Sequence, residues 1–401
     1  MISVEEARAR ILEGFAAAPA ETVPLAAGWN RVLARPVLAR LTQPPADVSA
    51  MDGYAVRAAD AVAGAVLRVT GAAPAGHPFA GAVGPGEAVR IFTGGFVPAG
   101  ADAILLQEDA EARDGEVRVT ETVRPGRWIR PRGLDFRAAE EVLPAGRRLT
   151  ARDIGLAAAS NHAWLQVHRR PRIGILATGD EIALPGDPIP PGGIVSSNAH
   201  ALAALVTSGG GEPLVLPIAP DDADTIRETA RAARGCDLLV TTGGASVGEH
   251  DLVQSALGPE GFALDFWKIA MRPGKPLIWG RLGEVPLLGL PGNPVSALVC
   301  AVVFLLPALA RMQGLPGAGP RSVPALAGAD LAENDRRADH LRATLERRAD
   351  GALVATPAAR QDSSMLATLA RADALILRAP FAPAAPAGTS VEVIPLAELG
   401  V

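Results

Sequence analysis

Between Asp237 and Ser296 the chain alternates short apolar runs with glycine-rich breaks, and this alternation narrows the folds open to it. Asp237–Thr242 reads as a buried strand. It breaks into Gly243-Gly244-Ala-Ser246-Val-Gly248-Glu249-His250-Asp251, where the missing Cβ atoms let backbone approach a ligand closely. Then come Lys268-Ile-Ala-Met-Arg272-Pro-Gly-Lys275-Pro276 and a second apolar strand ending in Leu290-Pro291-Gly292-Asn293-Pro294-Val-Ser296. Asn293 suits a helix N-cap and Pro294 the first helical position. The amides of that helix start, with the Ser296 hydroxyl, are expected to form an anion site.

The same alternation begins upstream. A strand over Arg172–Thr178 runs into Gly179-Asp180-Glu181, followed by a helix from about Asn198 to Ser208 and a strand over Pro213–Ile218. A further helix, from about Asp222 to Ala233, starts next to Asp221. Strands alternating with helices predict a parallel sheet, whose ligands sit off the carboxyl ends of the strands. Thr178–Glu181, Gly243–Asp251 and Pro291–Ser296 are all strand-end loops, so they converge on one crevice. There Glu181 and Asp251 are expected to hold Mg²⁺, while Lys275, Arg272 and Ser296 hold anions. Only Lys268 and Lys275 are lysines in a chain with 38 Lys+Arg, and they flank Arg272, which marks a place where a compact ammonium is wanted.

A net charge of −5 argues against a nucleic-acid or anionic-membrane binder, so an anionic ligand must be drawn by local cations. Hydrophobic content of 49% in 401 residues supplies several cores. Cys236 and Cys300 sit in apolar runs and read as buried free thiols of a reducing, cytoplasmic compartment. The start, Met1-Ile-Ser-Val-Glu-Glu, lacks the features of a signal peptide. Val295–Ala310 is apolar and uncharged but falls short of the roughly 20 residues a membrane span needs, so a buried helix is expected.

Around this centre the texture differs. Ser3 and Glu6 form a capping box ahead of a helix through about Phe15, and residues up to about Arg40 read as a helical arm. Asp52-Gly53-Tyr54 is an Asp-Gly turn carrying the single tyrosine. Short alternating runs from about Leu67 to Phe136 predict a β domain, which includes the polar clusters Thr93-Gly94-Gly95 and Arg130-Pro-Arg132-Gly133-Leu-Asp135. A helix near Thr150–Ser160 returns to the arm, and the tail from about Pro320 is β-like with one short helix near Ser364–Ala372. The expected fold class is α/β and β multidomain. Its parts are a discontinuous helical arm (1–43 plus 138–168), a β insertion (44–137), an α/β parallel-sheet domain (169–316) and a C-terminal β domain (320–401).

Six motifs stand in order over nearly the whole chain. They are Ser49-Ala-Met-Asp52-Gly-Tyr-Ala55, Thr93-Gly94 with Pro98-Ala-Gly-Ala-Asp102, Thr178-Gly-Asp-Glu181, Thr242-Gly-Gly-Ala-Ser246-Val-Gly248 with Asp251, Arg272-Pro-Gly-Lys-Pro276 and Pro291-Gly-Asn-Pro-Val-Ser296. Together they resemble the molybdopterin molybdenumtransferase family, MoeA and the gephyrin E domain. The resemblance implies an enzyme that inserts molybdenum from molybdate into adenylylated molybdopterin, using Mg²⁺ and releasing AMP. It also implies an elongated four-domain subunit that forms a homodimer with a shared active site. Transient contact with the adenylyltransferase and with acceptor molybdoenzymes is implied as well. The family's functional positions fall on Asp52, Thr93, Asp135, Glu181, Asp221, Asp251, Lys268, Arg272, Lys275, Pro291, Pro294 and Ser363. Arg272 stands where many relatives have lysine, and Gln361-Asp362-Ser363-Ser364 replaces a more usual Gln-Gly-Ser-Gly. Alternative readings are adenylylation of molybdopterin and a non-catalytic scaffold or carrier of the pterin.

Overall fold

The computed structural model describes residues 1–243, 256–317 and 319–401. The chain forms two compact units, one of residues 1–21, 30–34 and 167–401, the other of residues 22–29 and 35–166.

Helix α1 (Val4–Glu13) opens the first unit, with the Ser3 hydroxyl accepting from the Glu6 N–H at 3.0 Å. Its apolar face, Val4, Ala7 and Ile11, joins a core that includes Ile269, Met271 and Trp279. Residues 20–40 are not the expected helical arm; they form the short strands Ala20–Pro24 and Val37–Leu38 with a single 3-10 turn, Leu25–Ala27. Pro19, Pro24, Gly28 and Pro36 interrupt the alanine-rich run before a helix can propagate.

The second unit centres on a six-stranded sheet of β1 (Gly53–Val56), β2 (Val66–Ala73), β3 (Glu87–Ile91), β4 (Ala103–Leu106), β5 (Ala110–Arg113) and β6 (Glu116–Val119), in the order β4-β1-β3-β2-β6-β5. Alternating burial along β6, with Val117 and Val119 in and Glu116 and Arg118 out, is the two-residue period of a half-buried strand. Helix α2 (Ala151–Ala159) is held by a capping box between Thr150 and Asp153.

The first unit resumes with β7 (Arg172–Ala177), α3 (Asn198–Ser208), β8 (Glu212–Val215), α4 (Ala223–Arg231) and β9 (Leu238–Thr242). After these come β10 (Phe262–Lys268), β11 (Met271–Arg272), β12 (Pro276–Leu282), β13 (Val285–Leu290) and α5 (Pro294–Met312). The sheet order is β8-β7-β9-β13-β12-β10; the first four strands are parallel, and β12 runs antiparallel to its neighbours β13 and β10. β7 and β13 are buried along nearly their whole length, as strands covered on both faces must be. Helix α5 is apolar and long enough to invite comparison with a membrane span, yet 78% of that window is buried, so it is a core helix. Cys300 lies buried within it, whereas Cys236 is partly exposed rather than buried; both are free thiols.

The tail folds as β14 (Val323–Ala327), β15 (Ala338–Arg347), β16 (Leu353–Pro357), α6 (Leu366–Ala370), β17 (Ala374–Arg378) and β18 (Ser390–Pro395). The order β15-β16-β14-β18-β17, with β17 pairing back onto β15, closes a five-stranded barrel. Two-residue β11 adds to it in parallel, Met271 opposite Ala338 and Arg272 opposite Asp339.

Candidate functional site

The parallel strands set the site. Ala177 of β7 pairs with Thr242 of β9, and Thr242 with Leu290 of β13. The residues just after them therefore emerge side by side at one edge of the sheet, and a cavity of about 870 Å³ opens there. A side chain at Gly243 would put its Cβ 2.5 Å from the Thr178 carbonyl oxygen, and its φ of +90° already belongs to the left-handed region, so glycine is required. Asn198, first residue of α3, ties the floor together: its Nδ2 donates to Thr242 Oγ1 at 2.8 Å and to the Gly292 carbonyl at 2.7 Å.

Asn293 and Pro294 occupy the expected cap and first helical positions of α5. The Asn293 side chain makes no capping bond, however. Its Nδ2 donates to Ser363 Oγ at 2.8 Å, and the Ser363 carbonyl accepts from the Val295 N–H at 3.2 Å. One of the helix-start amides expected to serve an anion is thus already used. Pro291, Asn293, Pro294, the buried Ser296 and Ser363 all line the cavity. The loop bearing Ser363 is fixed from behind by Gln361, whose Oε1 accepts from Arg342 N at 3.0 Å and whose Nε2 donates to Arg342 O at 3.0 Å. The buried Arg342 guanidinium in turn donates to the Asp362 carbonyl at 3.1 Å.

The cations of the cavity differ in what they are free to do. Arg272 donates from Nε to Asp339 Oδ1 at 2.7 Å and from Nη2 to Asp339 Oδ2, with Asp335 at 3.4 Å from Nη1. The Asp339 carboxylate holds its pKa above the ordinary arginine value. Arg337 pairs with Asp335 at 2.7 Å, and its hydrogen bonds pull that carboxyl down to about 2. Lys275 also lines the cavity, and it makes no ion pair among the described residues. Glu181 lines it likewise without an ion pair among them. Lys268 is not in the lining; its Nζ rests 3.4 Å from the Trp267 ring centroid, a cation–π contact with its chain neighbour. Asp221 is also outside the lining, its N–H donating to Asp180 Oδ1 at 2.9 Å. Ser246 and Asp251 lie outside the described residues. Asn198 and Gln361, named above only as a helix start and as part of the loop bearing Ser363, also line the cavity, as does Arg337.

A second polar centre belongs to the other unit. β1 and β3 are antiparallel with Gly53 opposite Ile91, so Asp52 and Thr93 meet just beyond that pair. Asp52 Oδ1 accepts from the Thr93 N–H and from its Oγ1, both at 2.7 Å. These bonds, with the charge of Arg90, hold the Asp52 carboxyl below its usual range, so it is ionised at neutral pH. The Arg90 guanidinium lies 5.0 Å from the centroids of both Tyr54 and Phe92. The exposed Asp135 donates its N–H to Gln43 O at 3.0 Å.

Comparison with known proteins defines the class first. Residues 2–160 match the MoeA N-terminal region (domain I and II), 174–311 a probable molybdopterin binding domain, and 324–396 the MoeA C-terminal region (domain IV). Among solved structures, a molybdopterin biosynthesis MoeA protein from Pyrococcus horikoshii superposes with a TM-score of 0.85 at 29% identity, covering 98% of this chain and 99% of that one. A molybdopterin molybdenumtransferase of a Nostoc species is 39% identical over 74% of this chain and 70% of its own length. One from Bacillus subtilis is 32% identical over 94% of this chain and 90% of its own. The chain belongs to the molybdopterin molybdenumtransferase family, enzymes of molybdenum cofactor biosynthesis.

Proposed function

We propose that this chain transfers molybdenum from molybdate into adenylylated molybdopterin, with Mg²⁺ assisting and AMP released. The observation that carries the reading is the unequal state of the cavity cations. Arg272 and Arg337 are committed to Asp339 and Asp335, whereas Lys275 faces the same space with no carboxylate partner among the described residues. A compact ammonium beside the α5 start and the Ser296 hydroxyl suits a small tetrahedral oxyanion. The paired arginines shape the wall and keep its net charge low, so the pterin nucleotide is not held too tightly to leave.

Mg²⁺ usually takes one or two carboxylates plus substrate phosphates. The described residues hold no cluster of three metal-binding side chains, but Glu181 offers in the cavity a carboxylate that makes no ion pair among them, which fits that sparse donor set. Glu181, with Asp251, would hold the ion; when bound it supplies charge neutralisation between phosphate and molybdate oxygens. Asn198 and the glycine at 243 keep the floor flat and close to the ligand, and Lys275 orients molybdate. Lys268 and Asp221 act from outside the lining.

We propose further that the working form is a cytoplasmic homodimer in which Asp52, Thr93 and Asp135 of one subunit complete the cavity of the other. Every described lining residue of the cavity comes from the first unit, while Asp52 and Thr93 form a polar corner of the second. The four-part division inferred from sequence (1–43 plus 138–168, 44–137, 169–316, 320–401) accompanies this proposal. So do transient contacts with the adenylyltransferase and acceptor molybdoenzymes.

The test is incubation of the purified chain with adenylylated molybdopterin, molybdate and Mg²⁺, measuring AMP release and activation of an apo molybdoenzyme. Lys275→Ala should raise the molybdate concentration needed for half-maximal rate by about ten-fold or more, the loss of one charge-assisted contact, with an unchanged melting temperature. An unaltered molybdate dependence would remove Lys275 from the site.

A further inference from the structure

Residues 124–137 of the second unit carry Arg124, Arg127, Arg130, Arg132 and Arg137, all exposed, against one carboxylate of their own, Asp135, and two that accept from the strip's backbone, Asp47 from Arg132 N at 2.8 Å and Glu140 from Arg137 N at 3.0 Å. In a chain of net charge −5 this is a local reversal of sign. None of the five arginines makes an ion pair among the described residues. Arg132 donates from Nε to the Pro45 carbonyl at 3.1 Å, and the Arg127 guanidinium lies 4.4 Å from the Trp128 ring centroid. Neither contact neutralises charge.

The strip is fastened beside the Asp52–Thr93 corner through one intervening segment. On one side of that segment, Ile129 and Arg130 pair antiparallel with Ser49 and Val48, and the Ala50 N–H donates to the Trp128 carbonyl at 2.8 Å. On the other side, Ser49 exchanges backbone bonds with the next loop: its N–H donates to Gly95 O at 2.9 Å and its carbonyl accepts from Gly94 N at 2.9 Å. Gly94 directly follows Thr93. The arginines are therefore tied by this backbone ladder to the segment that carries Asp52 and Thr93, and none of them pairs with Asp52 among the described residues.

We infer that this arginine strip is an electrostatic capture surface for the phosphate-bearing substrate, drawing the anionic pterin nucleotide toward the Asp52–Thr93 corner. The inference rests on the activity proposed above. Exposed, unpaired cations raise the local concentration of an anion and the rate of encounter over about a Debye length, roughly 10 Å at 0.1 M salt. They do so through charge, so lysine serves as well as arginine. The overall acidity of the chain discourages anions elsewhere, which makes the strip directional.

The experiment compares wild type with Arg124→Gln/Arg127→Gln/Arg137→Gln and with the matching triple lysine variant, using free adenylylated molybdopterin. At low salt the glutamine variant should lose about five-fold in kcat/KM for the pterin nucleotide, a size typical of removing a few steering charges. Its kcat and its molybdate dependence should stay as in wild type, its salt dependence should flatten, and the lysine variant should retain wild-type behaviour. A glutamine variant with wild-type kcat/KM and salt slope overturns the inference while leaving the proposed activity standing. So does a defect seen only when an acidic partner protein delivers the substrate, which would make the strip a protein-docking surface. Loss in the lysine variant as well would show that shape rather than charge matters, and also overturns it. A wild-type protein that releases no AMP overturns both the activity and this inference.

Discussion

The cavity and the Asp52–Thr93 corner solve the same problem, placing polar groups where a ligand can reach them, by opposite means. The cavity draws on segments more than a hundred residues apart, from Thr178 to Ser363, and both of its arginines are cross-braced, Arg272 with Asp339 and Arg337 with Asp335, while Lys275 and Glu181 make no ion pair among the described residues. The corner needs only two neighbouring antiparallel strands, and its charges face solvent. In the first, removing a member of a brace should damage the scaffold, as removing Lys275 should not; in the second, removing a charge should damage only encounter and reactivity. Buried or networked charge is expensive to disturb, whereas exposed charge contributes little to stability.

Acid should expose this difference most. His340 in the first unit is fully buried on β15, and burial lowers its pKa to about 4 against an ordinary 6.5, with Glu5 and Arg8 acting in opposite senses. The folded state keeps the ring neutral while the unfolded chain takes up a proton. Stability from this group is therefore complete above pH 6.5 and is lost as pH falls toward 4, by about 3 kcal/mol. Denaturant titrations between pH 7 and 4 should show that loss in wild type and a flatter profile in His340→Leu. Equal slopes in both proteins would mean that His340 is not held neutral.

A smaller effect is expected at the ion-pair brace. Asp339→Asn leaves Arg272 with the more distant Asp335 as its one carboxylate partner among the described residues, beside the Asn334 amide oxygen at 3.1 Å, and should cost about 2 kcal/mol, less than a fully buried pair because the arginine is partly solvated. It should also loosen the β11–β15 pairing, measurable as faster hydrogen exchange at Met271 and Ala338. Unchanged stability would place the first unit's charges on the same footing as those of the corner.

How much of this the sequence disclosed follows the range of the interactions. The strand-end loops were readable because a parallel α/β pattern dictates where loops emerge, and α3 was placed at its observed bounds from local periodicity. The glycine at 243 and the Pro294 helix start were readable for the same reason. The barrel contribution was not. Arg337, Gln361 and the support from Arg342 depend on β15 closing against β17 and receiving β11, pairings with no local signature. The polar loop before α6 was the only hint. Lys268 was grouped with Lys275 because the two flank Arg272, but one ends a strand beside Trp267 while the other follows the turn into the cavity. The helix expected up to Arg40 does not form beyond α1, because Pro19, Pro24 and Pro36 interrupt the segment.

The central claim is that the cavity and the corner serve one reaction, each supplied by a different subunit. Asp52→Asn and Lys275→Ala subunits, each inactive alone, should be mixed and allowed to exchange, and AMP release then measured. In a mixed dimer one site collects both defects and the other has neither, so activity should return at about one working site per mixed dimer. Activity that stays at the level of the single variants after subunit exchange has been verified would contradict the account.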